Sequence, residues 1–155
     1  MKSRLFADCI LIVVIYAVFA AVVVLATQFN LPEIMDVRPG KGANTFLDDF
    51  QNWAFVSVGV SFLATVFWYV IGEWGPAPSA GNQGSSILIW LIGLILSGVG
   101  GILGYFYGPQ PQTGLELLVM FYVGSAIFFY YLATMLFSPV NVKYVVPGTK
   151  LFRKW

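Results

Sequence analysis

The charges of this chain stand in a few places only, and the stretches between them have the length and polarity of membrane spans. Residues 9–26 read CILIVVIYAVFAAVVVLA, and residues 50–72 read FQNWAFVSVGVSFLATVFWYVIG between Asp49 and Glu73. From Glu73 to Glu116 no charge occurs, but the first part of that tract, WGPAPSAGNQGSS, is dense in Pro, Gly and Ser and reads as a loop. A charged side chain at the centre of a bilayer costs at least about 2.5–3.5 kcal/mol, so the neutral tracts are where the chain can cross. Four spans result, over residues 5–27, 50–72, 86–107 and 115–137. Each holds about 20–23 residues, which at 1.5 Å per residue matches a hydrocarbon core of about 30 Å. Composition agrees: 59% of residues are hydrophobic and 10% charged, where soluble proteins carry about 25% charged.

Many residues in these spans are β-branched, which in water would favour strands. In lipid every backbone group must be bonded within its segment or within a closed barrel, and the continuous apolar runs lack the alternation of barrel strands. The expected fold class is an all-α membrane protein, a single domain of four transmembrane helices in two antiparallel hairpins. A basic tail follows over residues 138–155. Thr45-Phe46-Leu47-Asp48 and Thr113-Gly114-Leu115-Glu116 have the form of capping boxes before the second and fourth spans. Pro109 and Pro111 stop the third span and Pro139 stops the fourth. The basic start, MKSR, would suit a signal peptide, but the apolar core after it exceeds the usual 7–15 residues. A retained helix is expected.

Six of the eight basic residues lie near the ends: Lys2 and Arg4 before the first span, and Lys143, Lys150, Arg153 and Lys154 after the last. An even number of spans puts both ends on one side, and the positive-inside rule makes that side the cytoplasm, as in a multi-pass protein of a bacterial inner membrane. Aromatic residues mark the expected interfaces, with Trp53, Tyr105 and Tyr107 on the outer side and Trp68, Tyr69, Trp74 and Trp90 on the inner.

The chemistry available is limited. With no histidine, imidazole-held haem, His-ligated metal and a His general base are excluded from the chain acting alone. One cysteine, Cys9, permits no internal disulfide and no cluster of thiolates, and is expected to be a small buried hydrophobe. A net charge of +1 provides no basic face for nucleic acid. The acidic residues of the first loop lack the spacing of a calcium loop, and no carboxylate or basic residue falls at the middle of a span. No cofactor or metal is expected.

Three patterns remain. In the third span Gly93, Ser97 and Gly101 recur every four residues, as do Gly100, Gly104 and Gly108, forming a strip where another backbone can approach, within the chain or between subunits. Ser57, Ser61 and Thr65 form a hydroxyl row on the second span. These can bond to carbonyls one turn back or across to the third span, or else line a polar pathway. In the tail, Lys143, Lys150, Arg153 and Lys154 alternate with aromatic and apolar residues that include Phe152 and Trp155, a pattern suited to an anionic leaflet or a cytoplasmic partner.

No motif assigns the chain to a family. Its outline is shared by small subunits of secretion and conjugation machines and respiratory assemblies, which is an analogy only. The expected function is a non-enzymatic scaffolding subunit of a larger inner-membrane complex, such as a secretion or conjugative-transfer apparatus, with the bilayer and other membrane subunits as partners. The alternatives are a small channel or carrier for an uncharged solute, resting on the hydroxyl row, and an accessory subunit of a respiratory assembly.

Overall fold

The computed structural model describes residues 2–28, 43–74, 83–107, 118–139, 142 and 145–148. Among them no strand occurs. Four helical segments are long and apolar enough to cross a bilayer, and the chain is accordingly a multi-pass membrane protein. Helix α1 spans Lys2–Gln28, α2 spans Ala43–Trp74 and α3 spans Gln83–Tyr107. The fourth span opens on a π-helical turn, Met120–Gly124, and continues as α4, Ser125–Phe137.

Two boundaries differ from expectation. Helix α2 begins at Ala43, so Thr45 lies inside it and does not stand at its cap; the apolar and neutral residues before Asp48 extend the helix beyond the hydrocarbon span. Helix α3 begins at Gln83, within the stretch read as loop. The second candidate capping box, Thr113 to Glu116, lies outside the described residues.

Helices α2 and α4 meet each other, while α1 and α3 each pack on both and do not touch among the described residues. This leaves α1 peripheral. Only 22% of its span window is buried, against 44% for α2. Side chains such as Val14 and Val18 of α1, and Ile95 and Leu88 of α3, are exposed and present an apolar surface suited to lipid.

At one end of the bundle, called here the lower end, Tyr69 of α2 donates to the Asp8 carboxylate of α1 at 3.1 Å and Trp90 of α3 donates to Thr134 of α4 at 3.1 Å. At the upper end Tyr122 donates to the Phe50 carbonyl at 3.1 Å, and the rings of Trp53 and Tyr107 stack with centroids 5.5 Å apart. Trp68 and Trp90 lie toward the lower end, where the sequence suggests an interface, and are buried at 2% and 6% exposure. Their indole N–H groups are taken up by Ser138 and Thr134 hydroxyls, which lets the large rings fill the core without an orphaned donor.

The buried residues Leu118, Tyr122, Ala126, Tyr130 and Thr134 recur every fourth position along the fourth span. On a straight α-helix of 3.6 residues per turn, a four-residue repeat drifts about 40° per step and would leave the core. The wider turn at Met120–Gly124 absorbs that drift and keeps the row facing inward.

Gly101 is where α3 comes closest to this turn. A Cβ there would lie 2.6 Å from the Tyr122 carbonyl oxygen and 2.6 Å from the Val123 Cα, both backbone atoms that cannot swing aside. Gly59, in contrast, has nothing within 4 Å of a Cβ. Gly101→Ala is expected to destabilise by about 1–3 kcal/mol, as overpacking does. Gly59→Ala is expected to be neutral or to stabilise by up to about 1 kcal/mol through helix propensity. Thermal or denaturant unfolding of the two variants in one detergent distinguishes them.

Candidate functional site

The hydroxyl row of α2 is the densest polar feature of the interior. Ser57, Ser61 and Thr65 are exposed by only 1%, 0% and 1%. Four-residue spacing sets them along one ridge of the helix, and that ridge faces α1 and the fourth span. Ser57 donates to the Tyr122 carbonyl at 3.1 Å and Ser61 to the Ala126 carbonyl at 2.9 Å. Both cross to the fourth span and not to the third, because α3 packs on another side of α2. Thr65 bonds back to the Ser61 carbonyl at 3.1 Å, one turn earlier.

From α1, the Tyr16 hydroxyl enters this row. It lies 2.9 Å from both the Ser61 carbonyl and Ser61 Oγ, and 2.6 Å from Thr65 Oγ1. Each hydroxyl has one proton to give. With the Ser61 proton on Ala126 and the Thr65 proton on the Ser61 carbonyl, the Tyr16 proton has both the Ser61 carbonyl and Thr65 Oγ1 within reach, and every member of the group has a partner. No buried side-chain nitrogen or oxygen among the described residues lacks one. The row is consumed as an adhesive between three helices and leaves no hydroxyl turned toward a passage.

The small-residue strip of α3 divides between two neighbours. Gly101 and Gly104 face the π turn, the latter with a Cβ position 3.3 Å from the Tyr122 ring. Gly93 makes room for the Tyr130 hydroxyl, which donates to the Trp90 carbonyl at 3.0 Å. Gly100 instead faces Val60 of α2, where a Cβ would come within 2.7 Å. Ser97 is buried and bonds back to the Gly93 carbonyl at 3.0 Å. The strip is therefore used inside the chain. Gly108 lies outside the described residues.

After α4 the chain turns back on the lower end of the bundle. Val142 and Val146 are buried at 5% and 1%. Val142 and Pro139 sit over Gly72, Trp68 donates to Ser138 at 3.0 Å, and Tyr131 donates to the Pro147 carbonyl at 2.8 Å. Gly148, with φ of 87°, turns the chain beside Met135 in a conformation that favours glycine. What holds this first part of the tail is the bundle itself. Lys143, Lys150, Phe152, Arg153, Lys154 and Trp155 lie outside the described residues.

Cys9 is exposed, contrary to expectation. It lines an outward-facing groove between α1 and α2. No group of three metal-ligating side chains occurs among the described residues. The π turn was not expected from the sequence, although the four-residue repeat of Leu118, Tyr122, Ala126, Tyr130 and Thr134 carries its signal. Comparison with protein-family models, with curated proteins and with solved structures yields no match.

Two predictions concern these contacts. Tyr16→Phe and Ser61→Ala are each expected to cost about 0.6 kcal/mol and no more than about 1.7 kcal/mol, the range of interhelical hydrogen bonds in lipid. The double variant is expected to cost less than the sum, since the two side chains share partners; unfolding of all three variants measures it. Gly72→Ala is expected to push Val142 and Pro139 away, so that the amides of Val142, Val145 and Val146 exchange hydrogen faster while those of α2 keep their protection.

Proposed function

We propose that this chain is a non-enzymatic scaffolding subunit of a larger assembly in a bacterial inner membrane, built as two antiparallel hairpins with both ends in the cytoplasm. The observation that carries the reading is that the polar groups inside the bundle are bonded to one another. Ser57, Ser61, Thr65, Ser97 and Thr134 are all buried and all hydrogen-bonded within the chain. A channel or carrier needs polar groups that a solute can reach, and this interior offers it none of these five. What remains for other molecules is the outside: the apolar faces of α1 and α3 and the basic residues that follow the docked tail.

Orientation rests on charge. Asp8 of α1, bonded to Tyr69 of α2, marks the end of the bundle near Lys2 and Arg4. Ser138, bonded to Trp68 at that same end, places the start of the basic tail there too. Six of the eight basic residues adjoin these two segments in sequence, and the positive-inside rule supports the cytoplasm as the side of both ends.

The experiment is to solubilise native membranes mildly, separate complexes by size and identify the chains that travel with this one. The expected outcome is migration well above the 17.1 kDa of a single chain, with a reproducible set of other membrane proteins. Migration as a lone chain in every mild detergent would overturn the proposal, as would saturable solute flux through liposomes holding the purified protein alone.

A further inference from the structure

Because α1 and α3 do not touch, the outward surface of α2 between them is recessed. On the α1 side a groove of about 210 Å³ runs between Ile12 and the ridge of Phe62, Val66 and Val70. On the α3 side a second depression of about 550 Å³ lies along Leu63, Phe67 and Leu96, and it shares Val66 and Val70 with the first. Two joined apolar troughs, one on each side of a helix ridge, suit the two chains of one diacyl lipid.

The first groove also has a polar mouth. Glu73 lines it at the lower end, one helical turn beyond Tyr69. Tyr69 holds the Asp8 carboxylate at 3.1 Å, and Asp8 precedes the groove-lining Cys9. Trp74, 73% exposed, stands beside Glu73 and is of the residue type enriched where membranes meet water. The mouth therefore offers the Glu73 carboxylate and an indole above an apolar floor, with the Asp8 carboxylate held beside it by Tyr69, and among the described residues no basic side chain lines it.

We propose that this groove is a binding site for a phospholipid whose headgroup carries a primary ammonium, of the phosphatidylethanolamine class. The ammonium supplies three donors to Glu73 and Asp8, as a quaternary headgroup cannot, and the acyl chains fill the joined troughs. An anionic headgroup would meet like charge. A second copy of this chain seated across a two-fold axis would set the same carboxylates against each other.

The test uses the full chain, stripped of lipid in mild detergent and offered an equimolar mixture of phosphatidylethanolamine, phosphatidylcholine and phosphatidylglycerol with identical acyl chains. Native mass spectrometry counts the bound lipid. Phosphatidylethanolamine is expected to be retained about three- to fivefold over phosphatidylcholine, the size of a partly exposed ion pair. Glu73→Gln is expected to abolish that preference. Asp8→Asn, which keeps an oxygen to accept the Tyr69 hydroxyl, is expected to weaken it with unfolding unchanged. Equal retention of the two lipids overturns the proposal. So does a preference for phosphatidylglycerol, which would assign selection to Lys2 and Arg4, a preference that survives both substitutions, or a dimer that excludes lipid.

Discussion

Ser61 ties three of the four spans at one point. Its hydroxyl reaches the Ala126 carbonyl and its own carbonyl is met by Thr65, with the Tyr16 hydroxyl within 2.9 Å of both of its oxygens. In lipid the apolar side chains give helices little reason to associate, because a neighbouring helix is no more apolar than the acyl chains it displaces. Direction has to come from close packing and from the few groups that would otherwise stay unpaired. Here the hydroxyl ridge of α2 supplies the second, and it sets which faces of α1 and the fourth span turn inward.

The third helix is held by different means. Its contacts with the fourth span run through absent side chains: Gly101 against the backbone of the π turn, Gly104 under the Tyr122 ring and Gly93 under the Tyr130 hydroxyl. The aromatic rings that enter these notches bring hydroxyls that then find carbonyls, Tyr122 on Phe50 and Tyr130 on Trp90. Thr134 closes the group by accepting from Trp90 and donating to the Tyr130 carbonyl at 2.9 Å. Small residues and large aromatic ones are thus two halves of one device. The π turn makes it possible by keeping Tyr122, Ala126 and Tyr130 on one face although they are spaced four apart.

Much of this was legible in the sequence. The four spans follow from the neutral tracts, and the ends of α3 and α4 fall at Tyr107 and Phe137, just before Pro109 and Pro139 as expected. The small-residue strip and hydroxyl row were visible as four-residue repeats. Their partners were not, because a repeat identifies a ridge without saying which neighbour fills the groove beside it. The hydroxyl row was expected to bond one turn back or across to the third span: Thr65 does bond back to Ser61, but Ser57 and Ser61 reach the fourth span and Tyr16 joins from the first. Trp68 and Trp90 were placed near a membrane interface by their type, but their burial inside the bundle was not foreseen, because it depends on hydroxyls 70 and 44 residues away in sequence. The start of α2 was misplaced for a local reason: Thr45 and Asp48 carry the chemistry of a cap, but nothing in Ala43 or Asn44 stops the helix from beginning sooner.

A bundle whose buried hydroxyls are all bonded within the chain has a consequence for its surface. Each hydroxyl used to join helices is unavailable to solvent or solute, so the outer faces are left with shape and the end charges with electrostatics. Shape alone discriminates weakly in lipid, since any apolar helix can lie along another. Selectivity then concentrates where a shaped apolar recess meets fixed charge. On this chain the described residues bring the two together at the lower end, where the recess beside Val66 and Val70 opens beneath Glu73 and the Tyr69-held Asp8. The docked segment around Val142 covers another part of that same end, over Gly72. The lower end therefore carries both the docked start of the tail and this charged recess, and a molecule bound there would lie beside the base of the tail.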